Sequence, residues 1–351
     1  MIKTKRYFAA VALGLLTALF CVSCGFDDGY PQDVTMVGKN DVRIAFALSL
    51  QDATTRATND SWTDYDPKDA GSDYDNAINA STLRVFICDA DGNVVGNVDN
   101  IVASSNDDGT QIYAITGTWN NAVDNVQKAK KIMVFANCDE FETSAEAMDA
   151  LSFNRQNVAH YIPMWGITSI ESLQLGKSNN VGTIDLLRSV AKVNISLAEG
   201  MAERGYSLGS ASIVNLNQMG YVLPKTYNAV DVTKSIMFAD SFRPYDSWLA
   251  DAPFSNYGDN GLVVYIPEYD NHSTTQHKST VRLSLMRDGT EEGSYTLQFC
   301  QYANGEAVDG TDYNIQRNHV YEYEVGKADD GLLVKLSVVE WNERRHDTII
   351  M

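Results

Sequence analysis

The sequence predicts an all-β protein built from two β-sandwich domains in tandem, with little helix. Short runs of β-branched and aromatic residues recur along the chain, and many of them end at Gly or Asp turns. Removal of an N-terminal signal would leave about 325 residues, which is too long for one typical core and favours two domains. Helix signals are sparse, and residues 145–151 give the clearest one.

The first residues have the pattern of an export signal. Lys3, Lys5 and Arg6 precede an apolar run over residues 8–20, which is shorter than the ~20 residues of a membrane-spanning helix. Small residues then precede Cys24. We therefore predict a secretory signal over residues 1–23 that is removed on export.

The end of this signal, Val22-Ser23-Cys24-Gly25, resembles the lipobox of bacterial lipoproteins, although Cys21 stands where Leu is usual. The resemblance implies lipid attachment at Cys24, with palmitate among the acyl chains, and more than one chain makes anchoring durable. The alternative is an ordinary secreted protein with a free cysteine.

The charge of the chain limits its partners. The formal net charge is -19, and loss of the three positive charges in residues 1–23 moves it to about -22. Such a surface repels nucleic acid and anionic lipid headgroups. We expect no nucleic-acid partner, and we expect the lipid alone to attach the protein to a membrane.

A strictly alternating strand follows a polar tether over residues 25–41. One face of the strand is apolar and must be buried. At ~1.5–3 kcal/mol per large side chain, its five apolar residues would contribute on the order of 8–15 kcal/mol before entropy is subtracted. Loss of this strand would open an apolar groove and an unpaired sheet edge. The apolar face consists of Val42, Ile44, Phe46, Leu48 and Leu50.

Residues 51–80 carry almost no aliphatic side chains and are predicted to form a long loop or disordered linker. The peptide bond between Arg56 and Ala57 lies in this linker. An exposed basic residue in such a segment is a preferred site for a trypsin-like, Arg-specific protease. The alternative is that Arg56 is a solvated loop residue with no processing role.

The rest of the chain supplies the two predicted domains, at residues 57–185 and 186–351. Strands are predicted over residues 83–88 and 94–98, joined by a turn at Asp91-Gly92-Asn93. A hairpin turn is preferred over a calcium loop there, because the Gly is misplaced and the segment joins two strands. The remaining predicted strands cover residues 111–116, 131–136, 191–197, 262–266, 281–285, 294–299 and 320–325.

A second amphipathic strand lies near the C-terminus, within residues 332–341. A terminal apolar strand of this kind can be lent to another chain, as in donor-strand complementation. Its apolar face consists of Leu332, Val334, Leu336 and Val338.

The sequence offers no catalytic constellation, no metal-binding motif and no cofactor motif, so we do not expect an enzyme. The five histidines are scattered, and no nucleophile elbow or phosphate loop is present. Cys88 and Cys138 are predicted to be buried free thiols rather than a disulfide, and the pairing of Cys300 is left open. The tryptophans Trp119, Trp165 and Trp248 are expected in the core, although they could instead line a glycan groove.

Several short motifs, taken in order, resemble the fimbrillins of Bacteroidetes. Besides the Ser-Cys signal end and the early strand before Thr55-Arg56-Ala57, they are Leu83 to Gly92, Ile162 to Gly166, Leu187 to Val193 and Tyr313 to Tyr321. The resemblance touches nearly the whole chain, although each motif is short.

This resemblance implies two transthyretin-like β-sandwich domains and export as a lipoprotein to the outer membrane and cell surface. For a stalk subunit it implies a cut at Arg56-Ala57, so that residues 24–56 form a tether and first strand discarded as a propeptide. A C-terminal strand from another fimbrial subunit, in a homopolymer or a hetero-assembly, would fill the vacated groove. By position, the donor strand of this chain is the segment from Leu332 onward.

The role within a fimbrium remains open at this point. Anchor or tip subunits would depart from the stalk scheme, and an anchor would keep both its lipid and its first strand. The alternative from another class is a monomeric surface lipoprotein that binds glycans. In either fimbrial role, we expect a structural protein that serves cell-surface adhesion.

Overall fold

The computed structural model describes residues 37–50, 72–105, 113–138, 151–154, 161–224, 248–257, 261–273, 278–328 and 331–341. Cys24, Arg56, Ala57 and all but the last residue of the helix candidate at 145–151 lie outside these ranges. No helix among the described residues is long and apolar enough to cross a bilayer.

Strands dominate the described chain, and the predicted all-β class is confirmed. One short α-helix, α1, covers Ser72–Asn76, and short 3-10 turns cover Ala80–Thr82, Ala122–Asp124, Val126–Lys128 and Ala202–Arg204. The strands of the first half are β1 (Val42–Leu50), β2 (Arg84–Cys88), β3 (Val94–Asn97), β4 (Asp99–Ser105), β5 (Tyr113–Trp119), β6 (Lys131–Ala136), β7 (Ser152–Asn154), β8 (Met164–Ser169) and β9 (Ser178–Arg188). Those that follow are β10 (Val190–Leu197), β11 (Tyr206–Asn217), β12 (Met219–Tyr221), β13 (Trp248–Pro253), β14 (Ser255–Tyr257), β15 (Gly261–Pro267), β16 (Thr280–Arg287), β17 (Thr290–Gln298), β18 (Cys300–Ala303), β19 (Glu306–Asp312), β20 (His319–Ala328) and β21 (Gly331–Glu340).

The first half of the chain folds around an eight-stranded sheet with the order β3-β2-β6-β8-β9-β1-β5-β4. Strand β9 joins the two parts of this sheet, because its earlier residues pair with β1 and its last two residues pair with β8. Apolar side chains from both flanks of β9 enter one core, including Ile44 and Phe46 on one flank and Ile87 and Val134 on the other.

The second half forms a five-stranded sheet, β14-β15-β10-β20-β21, and a four-stranded sheet, β13-β11-β16-β17. Their facing side chains share a second core, to which Val193 and Tyr323 contribute from one sheet and Ile213 and Leu283 from the other. The predicted boundary at Asp185 falls inside β9, and the described strands change sheet between β9 and β10. The division into two domains stays a prediction.

The predicted hairpin between β2 and β3 is confirmed by their antiparallel pairing. Asp89 builds its turn, because its Oδ1 atom accepts hydrogen bonds from the backbone N–H groups of Asp91 and Asn93, each at 2.9 Å. The Asn93 side chain also donates to the Asp89 carboxylate, and this bond is the main reason that the pKa of Asp89 is lowered. The segment is a turn stabilised by its own carboxylate.

The prediction of a loose linker over residues 51–80 is wrong for its last part. Residues 74–78 are buried, and α1 begins within the predicted linker. Ile78 is the only large aliphatic residue between positions 51 and 80, but Asp75 is also buried, where it pairs with Lys192 at 2.6 Å. Polar residues that find partners can enter a core without an apolar pattern.

Cys88 and Cys138 are buried thiols rather than a disulfide, as predicted, and Cys300 is also a buried thiol. Desolvation by burial raises the pKa of the Cys88 thiol to about 12. The thiol is therefore protonated at neutral pH and unreactive in the folded chain.

Candidate assembly site: the first and last strands

The first strand lies inside its sheet rather than at an edge. β1 runs antiparallel to β5, from Val42 opposite Trp119 to Leu48 opposite Tyr113, and parallel to β9 on its other side. A strand with ladders on both sides can leave only if two rows of backbone hydrogen bonds are opened.

The inward side chains of β1 fill the first core. Val42, Ile44, Phe46 and Leu48 each have 0% exposure, and all four belong to that core. The predicted face is therefore the buried face at these positions. Leu50 pairs through its backbone with Leu186, and its side chain lies outside the described atoms.

A bulge in β9 lies beside Phe46. The pairing of β1 with β9 shifts between Ala45 and Ala47, which face Asn180 and Thr183. Gly182 lies in this bulge with φ +84°, a left-handed conformation that favours glycine. The Asn180 side chain accepts a hydrogen bond from the Gly182 N–H at 2.9 Å and fixes the local backbone.

The start of β1 is tied to two neighbouring loops through Asp41. The Asp41 carboxylate accepts a hydrogen bond from the Asn121 N–H at 2.9 Å, and its carbonyl accepts one from the Gly176 N–H at 2.8 Å. These bonds join β1 to the turns beside β5 and β9 and set its position along both strands.

The last strand, β21, lies at the end of the strand order of its sheet. It pairs antiparallel with β20 from Ala328 opposite Gly331 to His319 opposite Glu340. Val334 is buried, and Leu332, Leu336 and Val338 are half-buried against the second core. The predicted apolar face of this strand is thus packed within its own chain.

The other side of β21 is covered in part by the hairpin of β18 and β19. The Val334 N–H donates to the Gly305 carbonyl at 3.4 Å. Gly305 has φ +87°, and a Cβ atom there would lie 2.7 Å from the Leu333 side chain. The turn approaches β21 closely because residue 305 is glycine.

Two of the tryptophans that could have lined a glycan groove are not exposed at the surface. Trp119 and Trp165 are 4% and 0% exposed, which confirms them as core residues, and the side chain of Trp248 lies outside the described atoms. In the described part of the chain, no group of three or more His, Cys, Asp or Glu side chains could hold a metal ion. His272 and His319 instead lie against backbone carbonyls of Asp312 and Arg317.

Sequence reasoning missed a buried polar cluster between the two cores, formed by Asp75, Arg188, Lys192, Tyr265 and Trp341. We call this set the junction cluster. The sequence gives little indication of this cluster, because its members are far apart in the chain. One lies in a short helix and others lie in strands, so they share no repeating sequence pattern.

These features define a β-sandwich protein whose terminal strands complete its two cores. The family model of the fimbrillin-A associated anchor proteins Mfa1 and Mfa2 matches residues 55–347. The chain belongs to this family, and its resemblance to Bacteroidetes fimbrillins is confirmed.

Two solved structures of fimbrial proteins are similar to this chain. The tip fimbrial protein Mfa3 from Porphyromonas gingivalis, with a C-terminal truncation, matches with a TM-score of 0.50 and 15% identity, over 86% of this chain and 100% of that one. The fimbrial anchor protein Mfa2 from Porphyromonas gingivalis matches with a TM-score of 0.32 and 12% identity, over 85% and 98%. Among curated proteins, none matches the sequence.

Proposed function

We propose that this chain is a non-enzymatic fimbrial subunit, exported as a lipoprotein through Cys24 and assembled by strand exchange for cell-surface adhesion. A trypsin-like protease would cut between Arg56 and Ala57 and release β1 together with the lipid. A strand from another subunit would then take the place of β1, and β21 is the strand that this chain would lend. Family membership supports the fimbrial role.

The observation that carries this proposal is the position of β1 between β5 and β9. Its end at Leu50 lies six residues before Arg56 in the sequence. A cut at Arg56 therefore separates a complete strand from the body. A replacement that runs in the same direction as β1 could reproduce both of its ladders.

The energy of β1 burial explains why its loss must be coupled to replacement. Four fully buried apolar side chains contribute on the order of 6–12 kcal/mol at ~1.5–3 kcal/mol each. A whole domain is stable by only about 5–15 kcal/mol. The first core would not stay folded around an empty groove, so an incoming strand must enter as β1 leaves.

The mature N-terminus tests the proposal. Mass spectrometry of fibres sheared from cells should find Ala57 as the first residue of assembled copies if the chain is a stalk subunit. Cys24 as the N-terminus of every assembled copy would overturn the stalk role and favour an anchor that retains β1. An Arg56→Gln variant should accumulate with its lipid and fail to assemble, and an Arg43→Gln variant serves as the control for loss of a positive charge.

The outer membrane location belongs to the same proposal, because the acyl chains at Cys24 would hold the precursor there. Globomycin, which blocks lipoprotein signal cleavage, should retain residues 1–23 on the chain. A Cys24→Ser variant should lose partition into detergent. Unchanged partition of this variant would overturn attachment through Cys24 without bearing on strand exchange.

A further inference from the structure

A buried ion pair lies where the two cores meet. The Lys192 ammonium is 2.6 Å from the Asp75 carboxylate, and the two side chains are only 5% and 6% exposed. The Tyr265 hydroxyl donates a hydrogen bond to the other carboxylate oxygen of Asp75, also at 2.6 Å. Asp75 therefore joins α1 to β10 and β15 through charge and hydrogen bonding away from water.

Trp341, which follows β21 directly, covers this pair. Its ring stacks on Tyr265 with centroids 6.0 Å apart, and the Lys192 ammonium lies 5.8 Å from the ring centroid. The Arg188 guanidinium lies 4.7 Å from the same centroid. The Trp341 backbone N–H donates to the Asn318 carbonyl at 2.9 Å and fixes the end of the strand.

The end of β21 reaches the first core. The inward residues Val334, Leu336 and Val338 pack in the second core, whereas Val339 and Trp341, which is 7% exposed, pack in the first. The end of the last strand thus packs against Arg188 of β9 and against Lys192 and Tyr265 of its own sheet. To leave, β21 must pull Trp341 out of the junction cluster as well as separate from β20.

The junction cluster also receives the segment that follows the proposed cut. Asp75 lies in α1, the first described element after Arg56 in the sequence. The Arg188 guanidinium donates to the Asp75 carbonyl at 2.7 Å and contacts the Asn76 side chain. The first described element after the proposed cut and the residue that follows β21 therefore meet at one buried site.

We propose that the packing of Trp341 in the junction cluster holds β21 in place, and that the ion pair of Asp75 maintains this packing. We call this arrangement the latch. Removal of the Asp75 charge takes from the buried Lys192 ammonium the carboxylate at 2.6 Å, and the cation must then gain water or move. Either response disturbs the surface on which Trp341 packs, and β21 loosens. Conversely, loss of Trp341 opens the ion pair to water and weakens the hold on α1.

The latch is a property of the uncleaved chain, whereas its role in assembly rests on the proposed function. Under that function, displacement of α1 near the cut end would make β21 easier to lend. Subunits would then expose their donor strand in response to processing, which would limit premature polymerisation.

Hydrogen exchange on the full chain tests the latch. An Asp75→Asn variant should exchange the amides of β21 about tenfold faster or more, because the breaking of a buried pair has a large energetic effect. The amides of β16 and β17, away from the junction cluster, should stay within about twofold of wild type. If β21 keeps its wild-type exchange rate, the latch is overturned.

An exposed ion pair supplies the matched control. Arg282 and Asp251 lie 3.7 Å apart with their side chains 57% and 53% exposed. An Asp251→Asn variant makes the same chemical change and should leave β21 exchange unchanged, because exposed pairs contribute little. If this variant loosens β21 as much as Asp75→Asn does, a specific role for the junction cluster is overturned.

Two milder changes keep the test valid if Asp75→Asn fails to fold. Tyr265→Phe removes only the hydroxyl and should accelerate β21 exchange about threefold, while the ring can still stack on Trp341. Trp341→Leu should accelerate it by itself and should remove most of the further effect of Tyr265→Phe. Independent, multiplicative effects of the two changes would overturn the coupling.

The two proposals fail separately. The exchange experiment needs no protease and no assembly, so it reports on the latch even if fibres retain Cys24. If Ala57 is the mature N-terminus but β21 exchange is unaffected by Asp75→Asn, strand exchange stands and the latch falls.

Discussion

Phe46→Ala tests whether β1 is an essential part of the first core. Phe46 is among the largest fully buried side chains of the described chain, and it faces Ile115 across the β1–β5 ladder. Truncation of a buried Phe to Ala costs about 3–5 kcal/mol, through lost burial and the cavity that remains. This is a large fraction of the 5–15 kcal/mol that typically stabilises a domain.

Urea unfolding of the purified, uncleaved chain measures this effect. The first transition of Phe46→Ala should shift to lower urea by an amount equivalent to about 3–5 kcal/mol. Ala47→Ser, on the other face of the same strand, should change stability by less than about 0.5 kcal/mol. A loss below 1 kcal/mol for Phe46→Ala, with β5 and β9 still protected from exchange, would refute the view that β1 completes this core.

The Phe46→Ala variant also shows whether β1 is removed or retained on assembly. If β1 is discarded, Phe46→Ala should weaken the precursor, while assembled fibres should have wild-type stability. If β1 is retained, the precursor and the assembled copies should be weakened alike. Thermal disassembly of sheared fibres, with Ala47→Ser as the control, separates these results.

Three further predictions concern single positions. Gly182→Ala should destabilise the chain by about 1–2 kcal/mol in urea unfolding, because Gly182 has φ +84°. There is open space for a Cβ atom at this position, so the cost comes from the backbone alone. Gly331→Ala is the control without that backbone constraint and should be near neutral. Cys88 should resist iodoacetamide at pH 8 until the chain unfolds, because a pKa of about 12 leaves it almost fully protonated, and rapid native labelling by mass spectrometry would contradict its burial. Desolvation raises the pKa of Tyr302 from 10.0 to about 12. The contribution of the protonated Tyr302 side chain to stability should therefore be complete below pH 10 and decline between pH 10 and 12. The urea midpoints at pH 9 and pH 11 should differ less in Tyr302→Phe than in wild type.

The strands were largely predictable because the residues that specify each strand, its alternating side chains and its turns, are close together in the sequence. Alternation in residues 42–50 identifies the buried face of β1, and the turn near Gly92 identifies the β2–β3 hairpin. Burial then follows from the two-residue period of a strand. Local pattern does not say which strands become neighbours, so the position of β1 between β5 and β9 came only with the structure.

The junction cluster was not predictable for the opposite reason. Asp75 lies in a segment whose composition indicates a loop, and Lys192 occupies an alternating strand position that normally faces solvent. Each is buried with the other as its charge partner. Such pairs depend on tertiary proximity, and a single sequence carries no record of it.

Under the proposed scheme, lipid loss and groove opening are one event. Cys24, β1 and Arg56 follow one another along the chain, so a cut after Arg56 removes the anchor and the strand together. A subunit that keeps its lipid through an intact chain also keeps its groove filled and cannot accept a strand there. A subunit able to accept a strand has no covalent hold on the membrane and must be retained by its neighbours. Under this scheme, membrane attachment and acceptance of a donor strand would be mutually exclusive, and detergent partition of each assembled copy should anticorrelate with Ala57 as its N-terminus.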